Sequence, residues 1–378
     1  MAPISLTFDI PANIQAGLEA EKYIRNGGVI QDTSGRVVMW LRETNLDKVM
    51  SSGISSPLLS AGAVSSILTL GVSVIGFGVI YRKLQNLESR LQKAQKFLEK
   101  IDKKVDISFY ANFRAALDLA NNAFSMKQGA NRHSSAHAAI NRFLEAEHTY
   151  TELLSDVELS TDSQIGNEYL LTLCLAYLAE IRCYLELEEL DVALERLSVA
   201  QYQVRSLVEK YIDLLVISNP LIFLHPDLKE KISLSRLTKI YQWKDTNFNE
   251  SLVFDELRMN FDVKGNHSKL QFDIIRWVKQ IPFCFLSQSD LEQGITSLRK
   301  KPRQDIIHNL LPQVLEDLES MIEMERRLLA YQSEIKAIQK LGLNFQKWDK
   351  LHTFKENKDN KDMIYIVAKE PMLLEAQT

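Results

Sequence analysis

From Val49 to Tyr81 the chain has no charged side chain, 33 residues in a row, with Lys48 before the run and Arg82-Lys83 after it. A bilayer core of about 30 Å needs roughly 20 apolar residues in helical form. The stretch from Pro57 to Tyr81 is therefore long enough to cross once and too short to cross twice. Gly62, Gly71, Gly76 and Gly78 would each weaken a helix in water by about 1 kcal/mol against alanine. In lipid such small residues let helices approach closely. Pro57 suits a first helical turn, and Tyr81 suits an interfacial aromatic anchor. The run predicts one N-proximal transmembrane helix over 49–81. Two other readings fit the same pattern: a core helix buried in a soluble protein, apolar on every side, or a segment hidden in the fold until it inserts.

The run also has a small-residue face. Gly62, Ser66, Thr69, Ser73 and Gly76 recur at steps of four and three, and Ile80 continues the line. Such spacing puts them on one side of a helix, where backbones of neighbouring helices can come close. A homo-oligomer is expected, and a narrow wet pore lined by this face is the alternative use. Beyond the run, Leu84, Leu87, Leu91, Ala94, Leu98, Ile101 and Val105 alternate steps of three and four. This is a heptad seam, and its phase runs back through Ile80, Phe77 and Ser73. One continuous helix from about 57 to 106 is predicted, roughly 75 Å long. The seam must pack on itself, on another copy or on later helices.

Residues 82–104 hold eight Lys and Arg against three Asp and Glu, a local excess of +5 in a chain of net charge −4. Arg82, Lys83, Arg90, Lys93 and Lys96 are expected to face anionic lipid, at about 1 kcal/mol per charge near the surface. Positive flanks stay inside. The predicted placement is single-pass, with the region after the span cytoplasmic; the alternative is a chain soluble until insertion, its charges a solvated coiled-coil face. With no overall basic field, no nucleic-acid partner is expected. Cys174, Cys183 and Cys284 lack metal-type spacing and read as reduced core thiols. The N-terminus has no charged-then-apolar pattern, so no cleavable leader is expected.

The fold class read from the sequence is mainly α: a helical bundle with long antiparallel or coiled-coil helices and a small N-terminal α+β unit. Residues 1–48 form that unit. Ile4–Ile10 alternates like a strand. Pro11–Arg25 reads as a helix with Ile14, Leu18 and Ile24 on one side, stopped by Asn26-Gly27-Gly28. Val29–Asp32 and Arg36–Leu41 read as a hairpin across Thr33-Ser34-Gly35. Forty-eight residues are too few for a robust core, so this unit is expected to dock on another. The basic coiled coil (82–106) is followed by a helical bundle over 107–217. There His133, His137 and His148 share a helix face; His137 and His148 lie roughly 16 Å apart along the axis and cannot share an ion. Residues 218–353 are a C-terminal helical region with a long helix over 306–341. The tail, 354–378, is loose apart from a short strand over 363–369, whose expected partners are the strands at 4–10 or 29–42.

Tyr177, Tyr184, Leu187, Asp191, Ala193, Leu197 and Ala200 fall at spacings that resemble a tetratricopeptide repeat. Glu180-Ile181 stands where that pattern has Leu-Gly, no proline closes the unit, and no second copy follows at its period. The resemblance covers about 30 residues. It implies an antiparallel helical hairpin and, through it, a surface for a protein partner.

No phosphate-cradling glycine loop, nucleophile-base set or placed carboxylate pair is legible. No enzymatic activity, cofactor or metal is expected. Two functions remain. One is a membrane-anchored, self-associating helical scaffold or sensor whose cytoplasmic helices bind a protein partner. The alternative is a membrane-permeabilising effector, similar in layout to α-helical pore-forming toxins, that assembles through the face at 62–76.

Overall fold

A computed structural model describes residues 11–43, 76–78, 80–81, 83–85, 87–88, 108–156, 166–217, 220, 223, 228, 231–264, 311–350 and 363–374. The chain is mainly helical, with a small antiparallel sheet built from both ends of the sequence.

Helix α1 (Ala12–Glu19) leads into β1 (Tyr23–Asn26), β2 (Val29–Asp32) and β3 (Val37–Glu43). The predicted helix over 11–25 is thus cut short. Its last residues pair with β2, Tyr23 opposite Asp32 and Asn26 opposite Val29. Gly27-Gly28 is a hairpin turn and not a helix stop, since a β-strand partner supplies the backbone bonds that further helix would have supplied. Gly27 has φ +57°, and a Cβ there would lie 2.6 Å from the Arg326 carbonyl oxygen. The β2–β3 turn is fixed by Asp32, whose Oδ1 accepts from the Ser34 and Arg36 amides at 2.9 Å each.

The fourth strand, β4 (Met363–Met372), pairs antiparallel with β3, Trp40 opposite Ile366, giving the order β1-β2-β3-β4. It extends past the predicted limit of 369 to include Pro371, which an edge strand tolerates. The sheet is buried on two faces. Val29, Val37 and Trp40 join the main helical core, while Ile30, Val38, Met39 and Leu41 pack with Ile14 of α1. Val38 and Met39 share a face because the register shifts between Val37 and Met39, as a bulge does.

The bundle comprises α2 (Ser108–Ser125), α3 (Gly129–Asp156), α4 (Gly166–Glu186) and α5 (Leu190–Ile212), which runs into a wider turn at Asp213–Ile217. On α2, Tyr110, Phe113, Leu117 and Ala120 are buried at steps of three and four, the spacing of one helix face. They meet α3 in edge-on ring pairs, Phe113 with Phe143 at 5.7 Å and Tyr110 with Tyr150 at 6.2 Å. Every residue of α4 from Tyr169 to Cys183 is buried, so α4 is the axis on which its neighbours stack. Helices α6 (Leu234–Lys244) and α7 (Glu250–Lys264) pack on each other. Helix α8 (Leu311–Lys340) lies on α5 and presents its other side to the sheet, and the short α9 (Phe345–Asp349) closes against α4.

Among the described residues no helix is long and apolar enough to cross a membrane. The predicted span falls outside them up to residue 75, as do the strand at 4–10, the seam from 89 to 107, Cys284 and residues 306–310 of the long helix. The predicted continuous rod from 57 to 106 is interrupted: Gly76 is not helical, and helical backbone begins at Phe77.

Candidate functional site

The uncharged run ends on the bundle. Ile80, Leu84 and Leu87 have no exposed surface and belong to the main core. Phe77 stacks on Phe124 at 5.8 Å with planes 7° apart, and Glu88 pairs with Arg114 at 2.9 Å. Phe124 and Arg114 lie towards opposite ends of α2, so the helical residues of 77–88 run antiparallel to it. The two spans match, about 16 Å of helix against about 15 Å. The sequence assigned Ile80 to a membrane or oligomer face and Leu84 and Leu87 to a seam of open partnership. Their partner is the same chain: all three belong to the buried cluster that the apolar face of α2 also joins.

Gly76 sits at the start of this docked helix, its carbonyl accepting from the Ile80 amide at 3.3 Å, with no atom within 4 Å of where a Cβ would be. Lys83 is half-buried within it. Gly62, Ser66, Thr69, Ser73, Arg82, Arg90, Lys93, Lys96, Leu91, Leu98, Ile101 and Val105 lie outside the described residues.

The bundle is cross-braced by three arginines, each set between carboxylates and an aromatic face. Arg196 of α5 donates to Glu180 of α4 at 2.7 and 2.8 Å, pairs with Glu147 of α3, and lies 5.6 Å from the Tyr177 ring centre. Glu147 and Glu180 are buried. Two carboxyls beside one guanidinium leave a surplus negative charge. Burial first, and the Glu180 charge second, push the Glu147 carboxyl up to about 10, so it holds its proton. Burial likewise raises the Tyr177 hydroxyl and the Cys174 and Cys183 thiols well above their usual ranges, which makes both cysteines inert core residues.

Arg205 of α5 stacks 4.7 Å from the Trp243 ring, pairs with Glu209 at 3.0 Å and approaches Glu325 of α8 at 3.8 Å. Glu325, 1% exposed, also accepts from Gln201 at 2.6 Å and from the Trp243 indole at 3.2 Å, tying α5, α6 and α8 together. Arg182 of α4 pairs with Glu186 at 2.5 Å and lies 4.5 Å from the Phe345 ring of α9. Glu188, at φ +60° in the α4–α5 turn, caps the Phe345 amide at 2.9 Å. These charges hold helices in register. Sequence reading passed over them. The legible signal was Glu180 interrupting the apolar stretch of 169–185, because a charge at a core position needs a partner.

The α4–α5 pair is the antiparallel hairpin that Tyr177, Tyr184, Leu187, Asp191, Ala193, Leu197 and Ala200 suggest. Ala193, Leu197 and Ala200 are fully buried, and Asp191 accepts from Gln339 of α8 at 2.6 Å. Helix α4 is enclosed from Tyr169 to Cys183. His133, His137 and His148 are exposed on α3, and among the described residues no group of three or more His, Cys, Asp or Glu is placed to hold a metal ion. No family model matches the chain, and neither a curated protein nor a solved structure is significantly similar to it.

Proposed function

We propose that the chain is a membrane-anchored helical scaffold in which the bundle is a rigid mount for the apolar segment before Gly76. The observation that carries this reading is the splice between the two. The uncharged run continues in sequence, across the non-helical Gly76, into helical residues whose apolar side, Ile80, Leu84 and Leu87, is buried in the core. From Phe77 onward the Phe77–Phe124 stack and the Glu88–Arg114 pair fix the end of the run against α2. That coupling suits a scaffold or sensor better than a loosely tethered body. Since Leu84 and Leu87 are used within the chain, self-association rests on the small-residue face at Gly62, Ser66, Thr69 and Ser73.

Vesicle flotation of the full chain tests it. The native protein is expected to float with vesicles containing phosphatidylglycerol, and a Leu68→Lys, Val72→Lys variant of unchanged far-UV circular dichroism to stay in the dense fraction. Equal behaviour of the two would defeat the reading. The alternative, a membrane-permeabilising effector, is favoured by the four-three spacing of the small residues and differs in one readout. It predicts release of an entrapped dye that Ser73→Leu abolishes, whereas an anchor releases none.

A further inference from the structure

Between the β1–β2 hairpin and the middle of α8 lies a groove of about 270 Å³. A sheet face against a helix is normally closed by apolar side chains. Here Val29 and Gln31, both of β2 and both lining the groove, differ in kind. Val29 also belongs to the core, while Gln31, Asn26 and Lys336 bring polar side chains to the groove. Lys336 is half-buried on α8. The residues one turn away on its helix, Gln332, Ser333, Gln339 and Lys340, include no acid, and Lys340 donates to the Leu373 carbonyl at 2.9 Å. Among the described residues, neither the Lys336 ammonium nor the side-chain amides of Asn26 and Gln31 have an ion-pair or hydrogen-bond partner. All three are half-exposed, so their polar groups stay open to solvent or to a ligand.

We propose that this groove binds a small monocarboxylate that carries an amide and a short aliphatic group. Lys336 pairs with the carboxylate. Asn26 and Gln31 each offer a donor and an acceptor for the amide, and Val29, Leu329 and Leu374 cover the aliphatic part. A lone ammonium, with no arginine fork beside it, matches a single negative charge better than a phosphate. The volume falls under the roughly 300 Å³ at which drug-sized ligands begin to fit, which limits the occupant to about the size of an N-acylated amino acid. The proposal stands apart from the membrane reading, and either survives failure of the other.

Titration calorimetry of the full chain with N-acetyl-leucine tests it, with N-acetyl-leucinamide and inorganic phosphate as comparisons. N-acetyl-leucine is expected to bind. Removing the carboxylate charge, or making Lys336→Met, is expected to weaken binding about ten- to a hundredfold, the worth of a charge-assisted hydrogen bond. Lys336→Arg is expected to retain it, with circular dichroism unchanged in each variant. Should Lys336→Met not fold, Gln31→Leu takes its place and is expected to weaken N-acetyl-leucine binding. Absence of binding to the native protein, binding indifferent to these substitutions, or phosphate binding as tightly as the carboxylate would each overturn the assignment.

Discussion

Trp40 of β3 and Trp348 of α9 meet edge to face, ring centres 5.5 Å apart and planes at 86°. Through this contact the N-terminal unit, too small to hold a core alone, becomes part of the helical body. The two indoles are not equivalent. Trp348 Nε1 donates to Glu334 of α8 at 2.7 Å. Trp40 Nε1 is buried and has no hydrogen-bond partner among the described residues, so Trp40 contributes by packing alone.

That asymmetry predicts a rank order. Trp348→Phe loses packing and a buried hydrogen bond, whereas Trp40→Phe loses packing and sheds an unsatisfied donor, which is nearly free. Trp348→Phe is therefore expected to lower stability more. Alanine at either position is expected to cost about 3–5 kcal/mol, with a coupling between them of about 0.5–1.5 kcal/mol. Urea unfolding of the two single variants and the double variant measures all three quantities.

A second prediction compares two glycines of the same sheet. Gly27 and Gly35 both have left-handed backbone, φ +57° and +74°, which an L-residue adopts at a cost of roughly 1–2 kcal/mol. At Gly35 an added Cβ meets nothing within 4 Å, whereas at Gly27 it meets the Arg326 carbonyl oxygen at 2.6 Å and carbon at 2.8 Å. Those are backbone atoms of α8 and cannot swing aside. Gly27→Ala is expected to cost about 1–3 kcal/mol more than Gly35→Ala, the usual penalty of overpacking. Equal unfolding midpoints would show that the hairpin does not sit tightly on α8.

What could be read beforehand follows from the range of the forces involved. The Val29–Leu41 hairpin was legible because alternation and the Thr33-Ser34-Gly35 turn are local signals. So was α8, whose stripe of Val314, Leu318, Met321, Leu328, Ile335 and Ile338 is fully buried. The helix read over Pro11–Arg25 runs too far, into Tyr23–Arg25, because the strand state of those residues depends on pairing with β2, a tertiary effect that overrides propensity. The heptad from Ile80 to Leu87 was seen, but periodicity names a face and not its partner. The charged braces were hidden for the same reason: Glu147, Glu180 and Arg196 come from three helices, and no spacing connects them.

The partner of that heptad can be checked directly. Leu84→Ala is expected to cost about 2–5 kcal/mol, as for other fully buried leucines. Because the contact lies within one chain, the loss should be the same at low and high protein concentration. If the seam joined two copies, the unfolding midpoint would depend on concentration. Sedimentation of the variant should match the native protein.

The Glu147–Glu180–Arg196 cluster gives a pH dependence of definite sign. Burial, followed by the Glu180 charge, raises the folded Glu147 carboxyl to about 10. The unfolded chain releases that proton near the ordinary carboxyl value. Between those two values the folded state holds one proton more than the unfolded state, so this group's contribution is full below the carboxyl range and is lost as pH rises towards about 10. The slope is at most about 1.4 kcal/mol per pH unit. Glu147→Gln keeps the shape of the neutral acid without the titration. It is expected to fold, and its stability relative to the native chain should improve steadily between acid and alkaline pH. Glu180→Gln should behave differently: it removes the carboxylate that takes both short bonds from Arg196 and lets Glu147 ionise against the guanidinium in its place. Urea midpoints of the three proteins across the pH range decide the matter. Parallel curves for the native chain and Glu147→Gln would mean that Glu147 is ionised in the folded state and that the surplus charge is neutralised elsewhere.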